Sequence, residues 1–156
     1  MQSNVVIDID APKHSVAELY ADPRNNTAWM DDVERYEPLS GEQGSPGSSY
    51  RLVPRDGSRP VTATVIRRNL PYELLVKLDS STVRVDVQAR FTTLPDGRTR
   101  LASDEEFRFK RPSQRAIGLL LHPLVHKAHL RHLETFKQFA EQERARGADG
   151  LPPKTS

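Results

Sequence analysis

Apolar and polar residues alternate along seven stretches of the chain, which is typical of β-strands that bury one face. The clearest stretch is 83–91, where valine, alanine or phenylalanine fills each odd position and a charged or amide residue each even one. Because one face is dry and the other wet, the pattern predicts an antiparallel sheet of about seven strands. The other predicted strands are 5–9, 33–39, 50–54, 61–68, 72–78 and 101–109.

Two short helices are predicted between the first and second strands. Pro12 suits the first position of a helix, and the residue before Pro23 avoids the helical region, so the first helix ends there. A second short helix covers 25–30, with Trp29 as its apolar anchor.

A long amphipathic helix is predicted after the last strand. Ser113 is a suitable N-cap, and Pro123 should kink the helix or split it at His122. Apolar residues recur at spacings of three and four, and this stripe consists of Ile117, Leu121, Leu124, Val125, Ala128, Phe136 and Phe139.

These elements predict an α+β helix-grip fold, in which a curved antiparallel sheet wraps around the long C-terminal helix. Only that helix is long enough to cover the dry face of the sheet. A bent sheet leaves a concave space under the helix, and ligands usually bind in such spaces. We expect one domain over 1–146 and, from its composition, a disordered tail over 147–156.

Composition narrows the chemistry and the expected location. The 156 residues include no cysteine, which excludes disulfides, thiolate zinc sites and cysteine nucleophiles. No run approaches the roughly 18 apolar residues of a membrane span, and the N-terminus lacks the features of a signal peptide. A cytoplasmic protein is therefore expected, as a monomer or a homodimer.

Charge is unevenly distributed along the chain. Residues 1–109 carry 14 Lys/Arg and 17 Asp/Glu, whereas 110–146 carry 8 Lys/Arg and 3 Asp/Glu, a net charge of +5. A solvated outer helix face explains this run. The alternatives are attraction to an anionic lipid surface, an acidic partner or nucleic acid. Weak contact with an anionic membrane surface stays open as an alternative, and no nucleic-acid binding is expected.

Several segments resemble the START/Bet v 1-like superfamily in its polyketide cyclase/dehydrase branch. They are IDIDAPKHSVAELYADPRNNTAWM (7–30), SPGSSYRL (45–52), LPDGRTRLA (94–102) and FKQFAEQ (136–142). The resemblance covers about residues 3–143 and implies a ligand cavity rather than a particular reaction. Members include aromatase/cyclases, lipid and quinone carriers, hormone receptors and chaperone cofactors. In the cyclases, an inward arginine and tyrosines polarise ligand carbonyls or enols, roles that Arg67, Tyr36 and Tyr72 are candidates to fill here.

Glu105 is the strongest candidate for chemistry. Strand parity places it on the inward row between Ser103 and Phe107, where burial would raise the pKa of its carboxyl and suit it to acid–base catalysis. The alternatives are a buried ion pair with an inward arginine, or a position near the open mouth. Arg67 shares parity with the more apolar row of its strand and is favoured over Arg68 as that inward arginine. The alternative is that Arg67 lies at the end of its strand, in water.

Four histidines occur on the last helix. His122, His126 and His129 share one face at spacings of four and three, but no carboxylate falls at a matching position, so we predict a solvated flank and no metal. His132 falls on the apolar stripe, which predicts either a buried, hydrogen-bonded side chain or a ligand contact.

The sequence therefore predicts binding of a small apolar or amphipathic ligand without a cofactor. A polyketide-type cyclase or dehydratase, with Glu105 and Arg67 as catalytic residues, is an alternative, as is a peripheral lipid or quinone carrier. The residues predicted to contact the ligand are Trp29, Tyr36, Tyr72, Val85, Val87, Phe91, Phe107, Leu121, Leu124, Val125, Ala128 and His132.

Overall fold

A single seven-stranded antiparallel sheet with the strand order β1-β7-β6-β5-β4-β3-β2 forms the body of the molecule. The structure, a computed structural model, describes residues 1–150, with side chains for 1–147. The strands are β1 (Gln2–Ile9), β2 (Val33–Ser40), β3 (Ser49–Pro54), β4 (Val61–Asn69), β5 (Glu73–Asp79), β6 (Val83–Thr93) and β7 (Thr99–Phe109). The helices are α1 (Lys13–Ala21), α2 (Asn26–Trp29), α3 (Pro112–Leu120) and α4 (His122–Gly150), with a 3-10 turn at Pro23–Asn25. The predicted helix-grip fold is confirmed.

The inward rows of β6 and β7 lie side by side because the two strands pair in register. Val87 faces Glu105, Ala89 faces Ser103 and Phe91 faces Leu101. On the other side of β7, Ser3 of β1 also faces Glu105. Three strands therefore bring small and polar side chains together at the level of Glu105, and larger apolar ones at the level of Leu101.

The main apolar core lies where the second half of α4 crosses β1, β6, β7 and α1. Leu133, Phe136 and Ala140, at spacings of three and four, are almost fully buried there. Trp29 is also buried, stacked on Tyr20 at 5.4 Å and edge-on to Phe136 at 5.2 Å between ring centroids. The predicted role of Trp29 as the anchor of the second short helix is confirmed.

The break in the C-terminal helix is confirmed, but both ends of this region differ from the prediction. Leu121 separates α3 from α4, and Pro123 follows in the first turn of α4, where its missing N–H costs nothing. The N-cap is Arg111 rather than Ser113, because Pro112 takes the first helical position. At the other end, α4 continues to Gly150, so residues 147–150 of the predicted tail are helical. Residues 151–156 of that tail lie outside the described residues.

The apolar stripe predicted along this helix is wrong in its first half. Ile117, Leu121 and Leu124 are exposed, whereas His129, Leu133 and Phe136 face the sheet. Leu121 leaves the helical conformation, so a stripe counted from α3 loses its phase before α4 begins. Among residues 1–150, no helix has the length and apolar character needed to span a membrane.

Candidate functional site

A small cavity of about 60 Å³ lies between the concave face of the sheet and the middle of α4. One side of it is apolar, formed by side chains from β3, β4 and β5. Most of the polar groups come from α1, α2, β7 and α4, and one of them comes from β3. The apolar side consists of Leu52, Val65, Leu74, Val76 and Leu78, and the polar groups belong to Tyr20, Asn26, Tyr50, Ser103, Glu105, His129 and His132.

His129 is fixed in this cavity by hydroxyl groups on both of its ring nitrogens. Its Nε2 is 2.9 Å from Ser103 Oγ, and its Nδ1 is 2.8 Å from Ser3 Oγ. Ser3 Oγ is also 3.0 Å from Nδ1 of His126, so the single Ser3 hydroxyl proton can serve only one of the two histidines. Burial, together with the nearby His126 and His132, lowers the pKa of His129 to about 4, so the ring is neutral at pH 7.

Glu105 lies beside His129 with its carboxyl group on the cavity surface. Oε1 is 3.3 Å from His129 Nδ1, and the side chain is 18% exposed. Within residues 1–147, no group donates a hydrogen bond to this carboxylate in good geometry, and the nearest ring nitrogen of His129 already contacts Ser3 Oγ. Burial raises the pKa of Glu105 to about 7. The distance is that of an ion pair, but the neutral imidazole leaves Glu105 without a charged partner there at neutral pH.

Trp29 contributes a second polar group without a partner. Its ring lines the cavity and is 4% exposed, and its indole Nε1 has no hydrogen-bond acceptor among the described side chains and backbone. Buried donors are nearly always paired, so an oxygen from water or from a ligand is expected there. The cavity thus presents one free donor and one carboxyl group that can donate or accept.

Two tyrosines complete the polar side of the cavity. Burial raises the pKa of Tyr20, and the charge of Glu105 raises it further, whereas a hydrogen bond with Ser103 opposes the shift. Burial also raises the pKa of Tyr50 to about 12, against a hydrogen bond with Asn26. Both phenols therefore stay protonated at neutral pH.

Four of the predicted site residues line the cavity: Trp29, Val87, Glu105 and His132. His132 is at the edge, where its Nε2 is 2.8 Å from Asp32 Oδ1, and this hydrogen bond lowers the pKa of Asp32. Asp31, Asp32 and His132 bring three possible metal-ligand atoms within 4.8 Å of one another. Both aspartates are exposed, however, and Asp31 already has the Arg131 guanidinium at 3.4 Å.

Arg67 does not point inward, and this expectation is corrected. A bulge between Val65 and Arg67 adds one residue to β4 and reverses the parity of everything after it. Val65 is buried as expected, but Arg67 is exposed and pairs with Glu73 at 3.2 Å. Arg68 turns inward instead, to the Gly44 carbonyl oxygen and to Glu18, yet it does not reach the cavity.

Neither of the two tyrosines predicted beside Arg67 lines the cavity. Tyr72 is 57% exposed, with the Lys13 ammonium 4.6 Å from the centre of its ring. Tyr36 lies one layer outside, with its ring against Tyr50 and its hydroxyl donating to Gln43 Oε1 at 2.5 Å. The other predicted contacts outside the lining are Val85 and Phe91, which are buried; Phe107, Val125 and Ala128, which are half-buried; and Leu121 and Leu124, which are exposed.

The residues that the sequence analysis missed are Tyr20, Asn26, Tyr50 and His129. His129 was expected on a solvated flank, but it is 4% exposed. A usable signal existed, because His129 precedes Leu133, Phe136 and Ala140 at spacings of four, three and four. That register places His129 on the buried face once α4 is treated as starting at His122. His122 and His126 remain nearer the surface, with their rings 6.4 Å apart.

Comparison with known proteins agrees with this architecture. The model of the family described as "Polyketide cyclase / dehydrase and lipid transport" matches residues 2–141. No curated protein matches the chain in sequence.

Solved structures with the same fold include proteins of different kinds. The Zhui aromatase/cyclase from Streptomyces sp. R1128 superposes with a TM-score of 0.75 at 20% identity, over 97% of this chain and 99% of that one. A truncated norcoclaurine synthase from Thalictrum flavum gives 0.68 at 12% identity, over 89% and 92%. Ara h 8.0201 gives 0.68 at 12% identity, over 90% and 97%. These identities support the fold alone, and the family match extends over most of the chain. The protein belongs to the polyketide cyclase/dehydrase and lipid transport family, with the Bet v 1-like helix-grip fold.

Proposed function

We propose that the protein binds a small, largely apolar molecule that carries an oxygen function, and that Glu105 and Trp29 hold that oxygen. The observation that carries this proposal is that two polar groups of the cavity lining have no well-aligned hydrogen-bond partner among the described residues, the Glu105 carboxyl and the Trp29 indole N–H. Apolar side chains of β3, β4 and β5 also line the cavity. A ligand with one polar end and an apolar body satisfies both sides.

The volume of the cavity limits the ligand. About 60 Å³ accommodates several water molecules, whereas an aromatic ring needs roughly 150 Å³. A ring-sized ligand therefore requires side chains at the rim to move. Val76, Leu78 and His132 are only half-buried and are the residues best placed to do so.

Two matched probes test the proposal by NMR. p-Cresol and p-xylene differ in a hydroxyl against a methyl group, and Trp29 is the single tryptophan, so its indole N–H gives one assignable signal. We expect p-cresol to shift that signal and to bind about tenfold more tightly than p-xylene, the effect of one hydrogen bond to a charged or buried group.

Glu105→Leu should reduce the preference for p-cresol to the part that the Trp29 indole N–H supplies, and Glu106→Leu is the matched control. Glu106 is the next residue of β7 and points to the opposite, solvent-exposed face. An undiminished preference in Glu105→Leu would contradict the role given to Glu105. Native mass spectrometry of the protein purified from its own host would then identify the natural ligand.

A second candidate function is a lyase that removes water from a β-hydroxyketone. It is favoured by the pKa of Glu105, about 7, since such a carboxyl can take and return a proton near neutral pH. Its carboxylate would remove the proton next to the ketone, and the resulting acid would protonate the departing hydroxyl. A C–H and a C–O bond break, a C=C bond forms, and water leaves. His129 would position the carboxyl.

Turnover of 4-hydroxy-4-phenylbutan-2-one to its enone distinguishes the two functions. A lyase should lose at least about a hundredfold in kcat on Glu105→Gln, with KM little changed, because the acid–base group has gone while the hydrogen bond remains. In the wild type, kcat/KM should change with an inflection near pH 7. Equal rates of water loss with and without the protein would exclude the lyase and leave ligand binding as the proposed function.

A further inference from the structure

Helix α3 exposes its large apolar residues and buries a glycine. Gly118 is the buried residue of α3 and lies against the ring of Phe109, where an added Cβ would come within 2.1 Å of ring carbon Cζ. Ile117, Leu119 and Leu120 flank it in sequence and are all exposed. At about 100° per residue, these three side chains spread over the side of the helix away from Phe109.

The exposed apolar surface continues across the helix break. Leu121 and Leu124 are exposed as well, and Leu120 and Leu124 reach 80% and 63%. We call Ile117, Leu119, Leu120, Leu121 and Leu124 the leucine ridge. Soluble proteins rarely expose five such residues within eight positions unless the surface binds something. The ridge is convex, since it covers the outer side of a helix and a turn.

Cations without acidic partners surround the ridge. No Asp or Glu occurs from 107 to 133, whereas six Lys or Arg do. Arg111, Arg115 and Lys127 are exposed and form no ion pair with any residue in the described part of the chain. On the outer face of the sheet, by contrast, arginines pair with aspartates, as Arg90 does with Asp104.

We propose that the leucine ridge and its three free cations dock the protein onto the surface of an anionic lipid bilayer. The leucines would enter the boundary between headgroups and acyl chains, and the cations would contact lipid phosphates. A bilayer accepts a convex apolar surface without a shaped groove, which a protein partner would have to supply.

Other occupants fit these features less well. In a dimer formed through a two-fold axis, Arg111, Arg115 and Lys127 of one copy would face the same three residues of the other copy, and these like charges would repel each other. Nucleic acid would match the cations but not five exposed aliphatic side chains. An acidic protein would match the charge, and its binding is one outcome of the test below.

The ridge lies near the cavity but does not depend on it. Phe109, which Gly118 touches, is four residues along β7 from Glu105, roughly 13 Å at the rise of a strand. Docking could fail while the cavity still binds p-cresol, and the reverse also holds. The two proposals can therefore be overturned separately.

Vesicle flotation of the full chain tests the docking proposal. We expect the protein to float with vesicles of phosphatidylcholine and phosphatidylglycerol (7:3) at 50 mM NaCl. Binding should fall about tenfold at 500 mM NaCl, and about tenfold on vesicles of phosphatidylcholine alone, because screening or removing the lipid charge removes the electrostatic contribution.

Two double variants separate the apolar and the charged contributions. Leu120→Ser with Leu124→Ser, and Arg115→Glu with Lys127→Glu, should each reduce the bound fraction about tenfold. Their matched controls are Val6→Ser with Ile66→Ser, and Arg59→Glu with Lys77→Glu, which change exposed residues elsewhere. The controls should bind within about twofold of the wild type. Thermal unfolding of every variant ensures that only folded protein is compared.

Two results would overturn the proposal. One is a wild type that stays unbound on the anionic vesicles at 50 mM NaCl, and the other is a pair of ridge and cation variants that bind as well as their controls. If the wild type ignores vesicles but is retained by an immobilised acidic protein at the same salt concentration, the surface belongs to an acidic protein partner instead.

Discussion

Two parts of α4 meet the same sheet with different chemistry. From Leu133 to Ala140 the helix presents apolar side chains that are buried in the main core with residues of β1, β6 and β7. One turn earlier, His129 faces Ser3, Ser103 and Glu105, and a cavity remains beside it. The first part is organised like an ordinary core, and the second contains buried polar groups that are not all paired, a feature that costs stability and is typical of functional sites.

The largest difference between the two parts should appear when a core side chain is truncated. Phe136→Ala removes a fully buried ring that contacts Tyr20 and Trp29, so the free energy of unfolding should fall by roughly 3–5 kcal/mol. Leu124→Ala, on the exposed part of α4, should change it by less than about 0.5 kcal/mol. Chemical denaturation measures both, and similar losses would mean that the exposed leucines are covered in solution.

Glu105→Gln should stabilise the protein at alkaline pH. The pKa of Glu105 is raised from 4.5 to about 7, so the native state prefers the protonated carboxyl. This contribution is fully present below pH 4.5 and is lost as the pH rises through 7, at a total cost of up to roughly 3 kcal/mol for the wild type. Because Gln cannot ionise, the variant should be more stable than the wild type by roughly 3 kcal/mol at pH 8.

The same comparison at pH 4.5 should show little difference between Glu105→Gln and the wild type. Glu106→Gln, on the outward face, should have a small effect at both values. Urea unfolding at the two pH values decides the matter. If the wild type and Glu105→Gln respond identically to pH, the Glu105 carboxyl is paired in solution by a group that the structure does not place beside it.

His129→Leu should lower the free energy of unfolding by less than the ionisation of Glu105 does. It should also change how that free energy depends on pH below 6.5. Without the imidazole, the buried hydroxyls of Ser3 and Ser103 each lose a hydrogen-bond partner. The free energy of unfolding should therefore fall by roughly 1–2 kcal/mol at pH 7. The pKa of His129 is lowered from 6.5 to about 4, so its neutral form contributes stability above pH 6.5 that is lost as the pH falls towards 4.

The stability of His129→Leu should therefore vary less between pH 6.5 and 4 than that of the wild type. His126→Leu is the matched control, because His126 contacts the same Ser3 hydroxyl but is exposed. Equal pH dependence in the two variants would show that His129 is not the buried titrating group.

Sequence patterns were sufficient for the fold because the strands follow the simple alternation of one dry and one wet face. Parity placed Val87, Ser103 and Glu105 inward correctly, since β6 and β7 pair without a bulge. It failed wherever one residue broke the period. The bulge in β4 turns Arg67 outward, whereas parity had predicted an inward side chain. The non-helical Leu121 shifts the buried face of the last helix, so the predicted stripe did not include His129.

A different reason explains why the polar network around His129 could not be predicted from the sequence. Ser3 and His129 are 126 positions apart, and their hydrogen bond depends on how α4 crosses β1. No local pattern encodes that crossing. The sequence pattern identified Trp29 as a core anchor. Its indole N–H is unpaired because no described residue around it places a hydrogen-bond acceptor within reach, and the sequence pattern does not reveal this.

The smallest effect is expected from Arg67→Ala, which sharpens the contrast between the cavity and the surface around it. Arg67 is exposed, and its pair with Glu73 lies in solvent, where such pairs contribute about 0–1 kcal/mol. The variant should bind p-cresol as the wild type does and lose less than about 0.5 kcal/mol of stability. Arg68→Ala, its neighbour, should cost more stability, because it loses contacts with Gly44 and Glu18 that tie α1 and the 41–48 loop between β2 and β3 to β4. A tenfold loss of p-cresol affinity on Arg67→Ala alone would mean that the bulge in β4 moves when a ligand binds, and that parity had placed this arginine correctly for the liganded protein.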